Sequence, residues 1–170
     1  MDNTILIIDE HTIDPSTDIR QRDSYRTRTA VRAVLKDMRG RVALMHSVKH
    51  DYYKLPGGGV DDGEQLVAAL GRELKEETGC VAEVTRELGK VIEWRDFSRF
   101  MQISYAYEAT VRGKPGEPSL TQSEIDEGFV LEWAESLIQA IEKVEASIAH
   151  PAINLAFMSQ RDAAILRSSE

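Results

Sequence analysis

Residues 55–80, LPGGGVDDGEQLVAALGRELKEETGC, restrict the fold more than any other part of the chain. Leu55-Pro56 opens onto Gly57, Gly58 and Gly59. At such a turn the backbone can take positive φ or approach a ligand closely. A helix is expected from about Gln65 to Thr78, because Leu66, Val67, Leu70 and Leu74 recur at helical spacing. Gly79 stands where a left-handed residue would end it. Such a helix has to dock its apolar stripe on a sheet. Glu73, Glu76 and Glu77, at i, i+3 and i+4, then leave it together from one side. Like charges at those spacings repel by roughly 0.2–0.5 kcal/mol per pair, and Arg72 and Lys75 are expected off that face. A hard divalent cation such as Mg²⁺, which takes carboxylate oxygens, would relieve the repulsion.

This stretch resembles the box of the Nudix hydrolases, G-x5-E-x7-R-E-U-x-E-E-x-G-U, where U is a bulky apolar residue. Gly58, Glu64, Arg72, Glu73, Leu74, Glu76, Glu77, Gly79 and Cys80 occupy its positions in turn. Seven of them demand one residue type each and all seven agree. At residue frequencies of about 7%, chance agreement at a given start is on the order of 10⁻⁸. Cys80 stands where the family usually has Val, Ile or Leu, and a buried Cys behaves as a small hydrophobe.

The resemblance implies a Nudix fold: an α/β protein, an α/β/α sandwich around a mixed β-sheet. It implies Glu73, Glu76 and Glu77 as ligands of Mg²⁺ (or Mn²⁺), with one of them able to assist as general base and the carbonyl of Gly57 completing the shell. Arg72 is expected to orient a glutamate by an ion pair, Gly58 to border the substrate, and Glu64 to support the loop, although some family members are read as using it at the metal. The activity implied is hydrolysis of the pyrophosphate bond of a nucleoside diphosphate linked to another moiety. The contrasting reading is a non-catalytic Nudix-like domain that senses a nucleotide metabolite. Such domains usually have lost box glutamates, and this box has lost none. Related enzymes sometimes carry the base in a later loop, where Glu117, Glu124, Asp126 and Glu127 are candidates.

Tyr25 to Leu35 alternates as a strand, with Arg26, Arg28 and Arg32 on one side. The plain reading is a solvated sheet face. The sharper one has one or two of them, Arg26 and Arg28 foremost, contact substrate phosphate or a second subunit, since Arg binds phosphate bidentately. Asp37 to Gly40 turns this strand into a second, Arg41 to Val48, making a hairpin. His46 and His50 at its end read as surface or capped residues, and Tyr52 and Tyr53 as packing. Ile5 to Asp9 is a further short strand, Glu10 to Asp23 a loop. Val81 to Trp94 and Phe100 to Arg112 are two long strands about a turn at Asp96 to Arg99. A loop over 113–118 and a polar stretch over 119–127 precede a strand at Gly128 to Trp133. Helices follow over Ala134 to Ser147 and from Pro151 onward. Trp94 and Trp133 read as core.

The 170 residues suffice for one domain, 1–170. Hydrophobic content of 42% and charged content of 29% are ordinary for a soluble globular protein. The net charge of −8 disfavours a nucleic acid polymer as partner and leaves room for a small phosphorylated substrate, because metal ions can screen the local repulsion. One cysteine allows no internal disulfide and fits a cytoplasmic location. The first residues show no signal peptide, and no apolar run approaches the roughly 18 residues of a membrane span. Homodimers are common among Nudix proteins, and the resemblance leaves a homodimer open.

Overall fold

The computed structural model describes residues 3–17 and 22–170. Among these residues seven strands form one mixed sheet: β1 (Thr4–Asp9), β2 (Arg26–Lys36), β3 (Val42–Ser47), β4 (Tyr52–Lys54), β5 (Val81–Arg95), β6 (Phe100–Arg112) and β7 (Phe129–Ala134). Their order is β1-β5-β6-β2-β3-β4, with β7 on the other side of β3. The β1·β5 and β2·β6 pairs are parallel and the rest antiparallel.

Helices cover both faces, giving the α/β/α layering. On one face α2 (Leu66–Thr78) sets Ala69, Leu70 and Leu74 against Val31, Ala33 and Leu35 of β2 and Tyr107, Ala109 and Val111 of β6. Cys80 is buried in this cluster, as a small apolar residue there should be. On the opposite face α4 (Leu137–Glu145) and α5 (Ile153–Arg167) bury Ala140, Ile141, Val144, Phe157, Ile165 and Leu166 against Ile8, Val34, Leu44 and Val91. Val67 does not join the stripe: it is 54% exposed, and Ala69 takes the inward place. Two short helices lie where only loop was expected, α1 (Glu10–Ile13) and α3 (Gln122–Asp126), each closed by a reciprocal capping box, Asp9 with Thr12 and Thr121 with Glu124. Within the expected Glu10–Asp23 loop, residues 18–21 lie outside the described residues, as do residues 1 and 2.

One break in the sheet positions everything that follows. Strands β2 and β3 leave a common turn, in which Asp37 accepts from the N–H groups of Arg39 and Arg41 (both 2.9 Å), yet they pair only at Lys36 and Val42 before parting. The segment 55–60 lies along β2 in that gap. Ala33 N–H donates to the Pro56 carbonyl (3.0 Å), Val31 N–H to Gly58 (2.9 Å) and Val60 N–H to Thr29 (3.1 Å). Gly57 has φ +130°, and a Cβ on it would collide with the Val31 carbonyl, so this close approach requires glycine.

Because both faces are covered, the alternation in β6 does not separate buried from exposed. Gln102 and Ser104, in the row that looks polar, are buried at 3% and 0%. Trp94 and Trp133 are half-buried rather than core. A guanidinium lies over each ring, Arg22 at 4.9 Å and Arg41 at 5.6 Å.

Candidate active site

The box glutamates meet the glycine segment over a cavity of about 370 Å³. It is lined by Arg28, Arg32 and Lys54, by Gly57, Gly58 and Gly59, by Arg72, Glu73, Glu76 and Glu77, and by Thr121 and Glu124. The glycine segment and four further elements supply them. β2 brings the first two arginines and β4 the lysine, α2 the carboxylates, and the end of the 113–121 loop with α3 brings the last pair.

Glu77 sits deepest, at 2% exposure. Its Oε1 accepts from Lys54 Nζ at 2.9 Å and its Oε2 from the Gly57 N–H at 2.6 Å. Burial pushes its carboxyl up from the ordinary value, against the opposing pull of Lys54, the Gly57 N–H and Arg32. Glu73 and Glu76 face Arg72, whose Nη1 lies 2.6 Å from Glu73 Oε1 and 3.4 Å from Glu76 Oε2. The same guanidinium takes Glu64 bidentately, Nε to Oε1 at 3.0 Å and Nη2 to Oε2 at 2.9 Å, and donates from Nη2 to the Gly59 carbonyl at 3.0 Å. Glu64 also accepts from the Asp61 N–H (3.0 Å). Its hydrogen bonds from Arg72 and then from Asp61 hold its pKa down at about 2. Arg72 is therefore not off the acidic face, as helical spacing suggested. Its long side chain folds back and orients Glu73 while bracing the loop through Glu64.

The three strand arginines separate. Arg28 lines the cavity, whereas Arg26 is exposed and lies over the Phe100 ring at 5.0 Å, away from it. Arg32 is no solvated residue: it is 7% exposed and reaches the cavity from inside the fold. Its Nη1 donates to the Val31 carbonyl at 2.8 Å, and its buried Nε has no hydrogen-bond partner among the described residues. Burial, then repulsion from Arg161, lowers its pKa to about 10, so it stays cationic at neutral pH. Lys54 was hidden in the sequence as the polar member of Tyr-Tyr-Lys. Its place immediately before Leu55-Pro56 is the signal that could have found it. Of the four acidic residues considered as an outside base, Glu124 lines this cavity, and Glu117 lines a neighbouring groove with Arg72, Lys75 and Glu76. His46 lies apart, between Glu132 (2.6 Å) and Asp51 (3.1 Å) and stacked on Tyr53.

The loop bearing Thr121 and Glu124 is tied to the end of α2. Gly116 N–H donates to the Gly79 carbonyl (2.8 Å) and Ser119 N–H to Glu76 (2.7 Å). Gly79 itself has φ +68° and ends the helix as expected.

A model of the NUDIX domain matches residues 26–150, about three quarters of the chain. The chain belongs to the Nudix family. Solved Nudix-type folds agree with the architecture. The MutT protein from Methanosarcina mazei Go1 superposes with a TM-score of 0.54 at 21% identity, over 81% of this chain and 94% of that one. The Escherichia coli ORF135 protein gives 0.58 at 20%, over 85% and 89%. Two curated relatives are similar over shorter stretches. An RNA pyrophosphohydrolase of Ruthia magnifica is 39% identical over 72 residues, 42% of this chain and 40% of that protein. An 8-oxo-(d)GTP phosphatase of Mycolicibacterium smegmatis is 44% identical over 50 residues, 29% of this chain and 16% of that protein. The matched segment thus spans less than half the length of either.

Nudix enzymes generally use divalent cations such as Mg²⁺ or Mn²⁺. The donor set here suits one: the carboxylates of Glu73, Glu76 and Glu77 line one cavity, with no sulfur or imidazole among the lining residues. Gly58 leaves the room that the Glu73 carboxylate occupies, since a Cβ there would overlap it. Among the described residues no three acidic or imidazole groups stand gathered as ready ligands. Glu73 and Glu76 turn to Arg72, and Glu77 to Lys54 and Gly57. A cation would take over carboxylate oxygens now neutralised by these groups. No helix among the described residues is long and apolar enough to cross a membrane.

Proposed function

We propose that residues 1–170 form one Nudix domain that hydrolyses the pyrophosphate bond of a nucleoside diphosphate carrying a further group, with Mg²⁺ or Mn²⁺ as cofactor. One observation carries this reading: a single cavity joins three box carboxylates to three cationic side chains, Arg28, Arg32 and Lys54. Carboxylates suit a cation, and the cations suit phosphate.

Glu73, Glu76 and Glu77, with the Gly57 carbonyl, would hold the metal. When bound, it supplies an activated water and charge neutralisation on the phosphoryl oxygens. Arg28 and Arg32 bind phosphate oxygens, beside Gly58 and Gly59, whose lack of side chains leaves room for the Glu73 carboxylate and the Arg28 guanidinium. Arg26 is left out of this set because it lies over Phe100. Arg72 holds Glu73 in place. Glu124 is the outside carboxylate best placed to take a proton, because it alone of Glu117, Glu124, Asp126 and Glu127 lines this cavity.

A second substrate arm follows from the relative named RNA pyrophosphohydrolase. The pyrophosphate of an RNA 5′ end presents the same chemistry, although the net charge of −8 favours a small substrate. The test is release of phosphate or mononucleotide from a panel of nucleoside diphosphate derivatives, 8-oxo-dGTP and a 5′-triphosphorylated oligoribonucleotide, with Mg²⁺. Turnover of at least one substrate, abolished in Glu77→Gln, is expected. No turnover across the panel, with tight nucleotide binding instead, would favour the sensor reading.

A further inference from the structure

Beneath the cavity lies a buried charged group that box and cavity leave unexplained. On α5, Arg161 and Asp162 are 2% and 0% exposed. Arg161 Nε donates to Asp162 Oδ1 at 2.6 Å, and its Nη1 lies 3.5 Å from Glu93 Oε2 on β5. Glu93 is itself held by Arg95 (2.7 Å) and Gln102 (2.8 Å). The other oxygen of Asp162, Oδ2, accepts from the backbone N–H of Leu55 at 2.9 Å. Thus a side chain from the helix layer opposite α2 crosses to the glycine segment.

The position of Leu55 gives that bond its meaning. Lys54, one residue before it, donates to Glu77 Oε1, and Gly57, two residues after it, donates to Glu77 Oε2. Both groups that hold the deepest carboxylate flank the single amide that Asp162 pins. On its β2 side the segment is held by backbone bonds from Pro56 onward. At Leu55 the holding partner is the carboxylate. A bond to an ionised acceptor is about twice as strong as a neutral one, and Arg161 fixes the direction in which this carboxylate points.

We propose that Asp162 is a positioning residue: through the Leu55 N–H it sets where Lys54 and Gly57 meet Glu77, and so readies Glu77 for the cation and the phosphoryl group. The C-terminal helix is then part of the catalytic apparatus without touching substrate. In its kinetic and Mn²⁺ arms the proposal rests on the hydrolase reading and its cation; the exchange arm does not.

The test compares Asp162→Ala, which removes both bonds, with the isosteric Asp162→Asn, which removes the charge. Three quantities are read in the full chain: amide hydrogen exchange at Gly57 by NMR, Mn²⁺ affinity by electron paramagnetic resonance, and kcat and KM. Expected in Asp162→Ala are exchange at Gly57 faster by about tenfold or more, with β6 amides unchanged, and Mn²⁺ affinity weaker by about fivefold. The kcat should fall about tenfold with KM within about twofold. Asp162→Asn should show the same pattern with smaller changes. Where the alanine variant does not fold, this pattern in Asp162→Asn supports the proposal. A wild-type Gly57 exchange rate and Mn²⁺ affinity in Asp162→Asn, with Asp162→Ala either unfolded or equally unchanged, would overturn it, since Asp162 would then only fill the core. An inactive wild type would sink the hydrolase reading alone, because exchange at Gly57 still decides the role of Asp162.

Discussion

Glu77 pays for its position with burial: it is 2% exposed, its pKa is raised, and it depends on Lys54 and the Gly57 N–H for partners. Its charge is what the proposed chemistry needs, so Glu77→Gln should lower kcat by about a hundredfold or more at saturating Mg²⁺, read by steady-state kinetics. Far from the cavity, Glu108 makes a different kind of contribution. Burial alone would push its pKa up, but hydrogen bonds from Ser169, Arg86 and Lys36 outweigh that and hold it at about 2, against an ordinary 4.5. A carboxylate with a lowered folded pKa stabilises the fold above its unfolded pKa, and that stability fades as pH falls through the folded one. Between pH about 4.5 and 2 the wild type should therefore lose about 1–3 kcal/mol that Glu108→Gln lacks at neutral pH already. Urea unfolding at pH 7 and pH 3 measures this, with the two proteins converging at the lower pH.

Within α2, two glycines make opposite demands. Gly71 lies mid-helix, with nothing near the place a Cβ would take. Gly71→Ala should stabilise the protein by about 0.5–1 kcal/mol, since alanine is the better helix former and restricts the unfolded chain. Gly79 has positive φ, and a Cβ on it would run into the Gly116 carbonyl. Gly79→Ala should cost about 2–3 kcal/mol. It should also loosen the 113–121 loop, because Gly116 and Ser119 are hydrogen-bonded to the end of α2. Chemical denaturation gives both stabilities, and the kcat of Gly79→Ala reports whether Thr121 and Glu124 have moved.

Across the entire chain the parts depend on one another through the gap between β2 and β3. α2 closes it from one face, α5 reaches it from the other, and the glycine segment fills it. A cation that binds only the folded cavity must stabilise all of this together. At a hundred times its dissociation constant, Mn²⁺ should add about 2.7 kcal/mol to the unfolding free energy. The thermal shift should vanish on chelation and in a Glu73→Gln/Glu76→Gln/Glu77→Gln variant.

The box could be read directly because its signal is local. Helical spacing alone places Glu73, Glu76 and Glu77 on one side of α2, the glycine positions mark the turn and the cap, and alternation marks most strands to within a residue or two. Sequence could not say which arginine of β2 would enter the site. Arg26, Arg28 and Arg32 share one phase, and their fates diverge because the sheet opens beside Arg28 and Arg32 while Arg26 stays at the far end over Phe100. Alternation in β6 carries no burial signal for a related reason: with helices on both faces, the row holding Gln102 and Ser104 is buried around the charges of Glu93 and Arg161. Lys54, Glu124 and Asp162 enter the site's surroundings from 12 residues before the start of the helix to more than 80 after its end. Spacing along a chain carries information only over a few turns. Which distant charges come to share a low-dielectric interior is decided by how the layers pack.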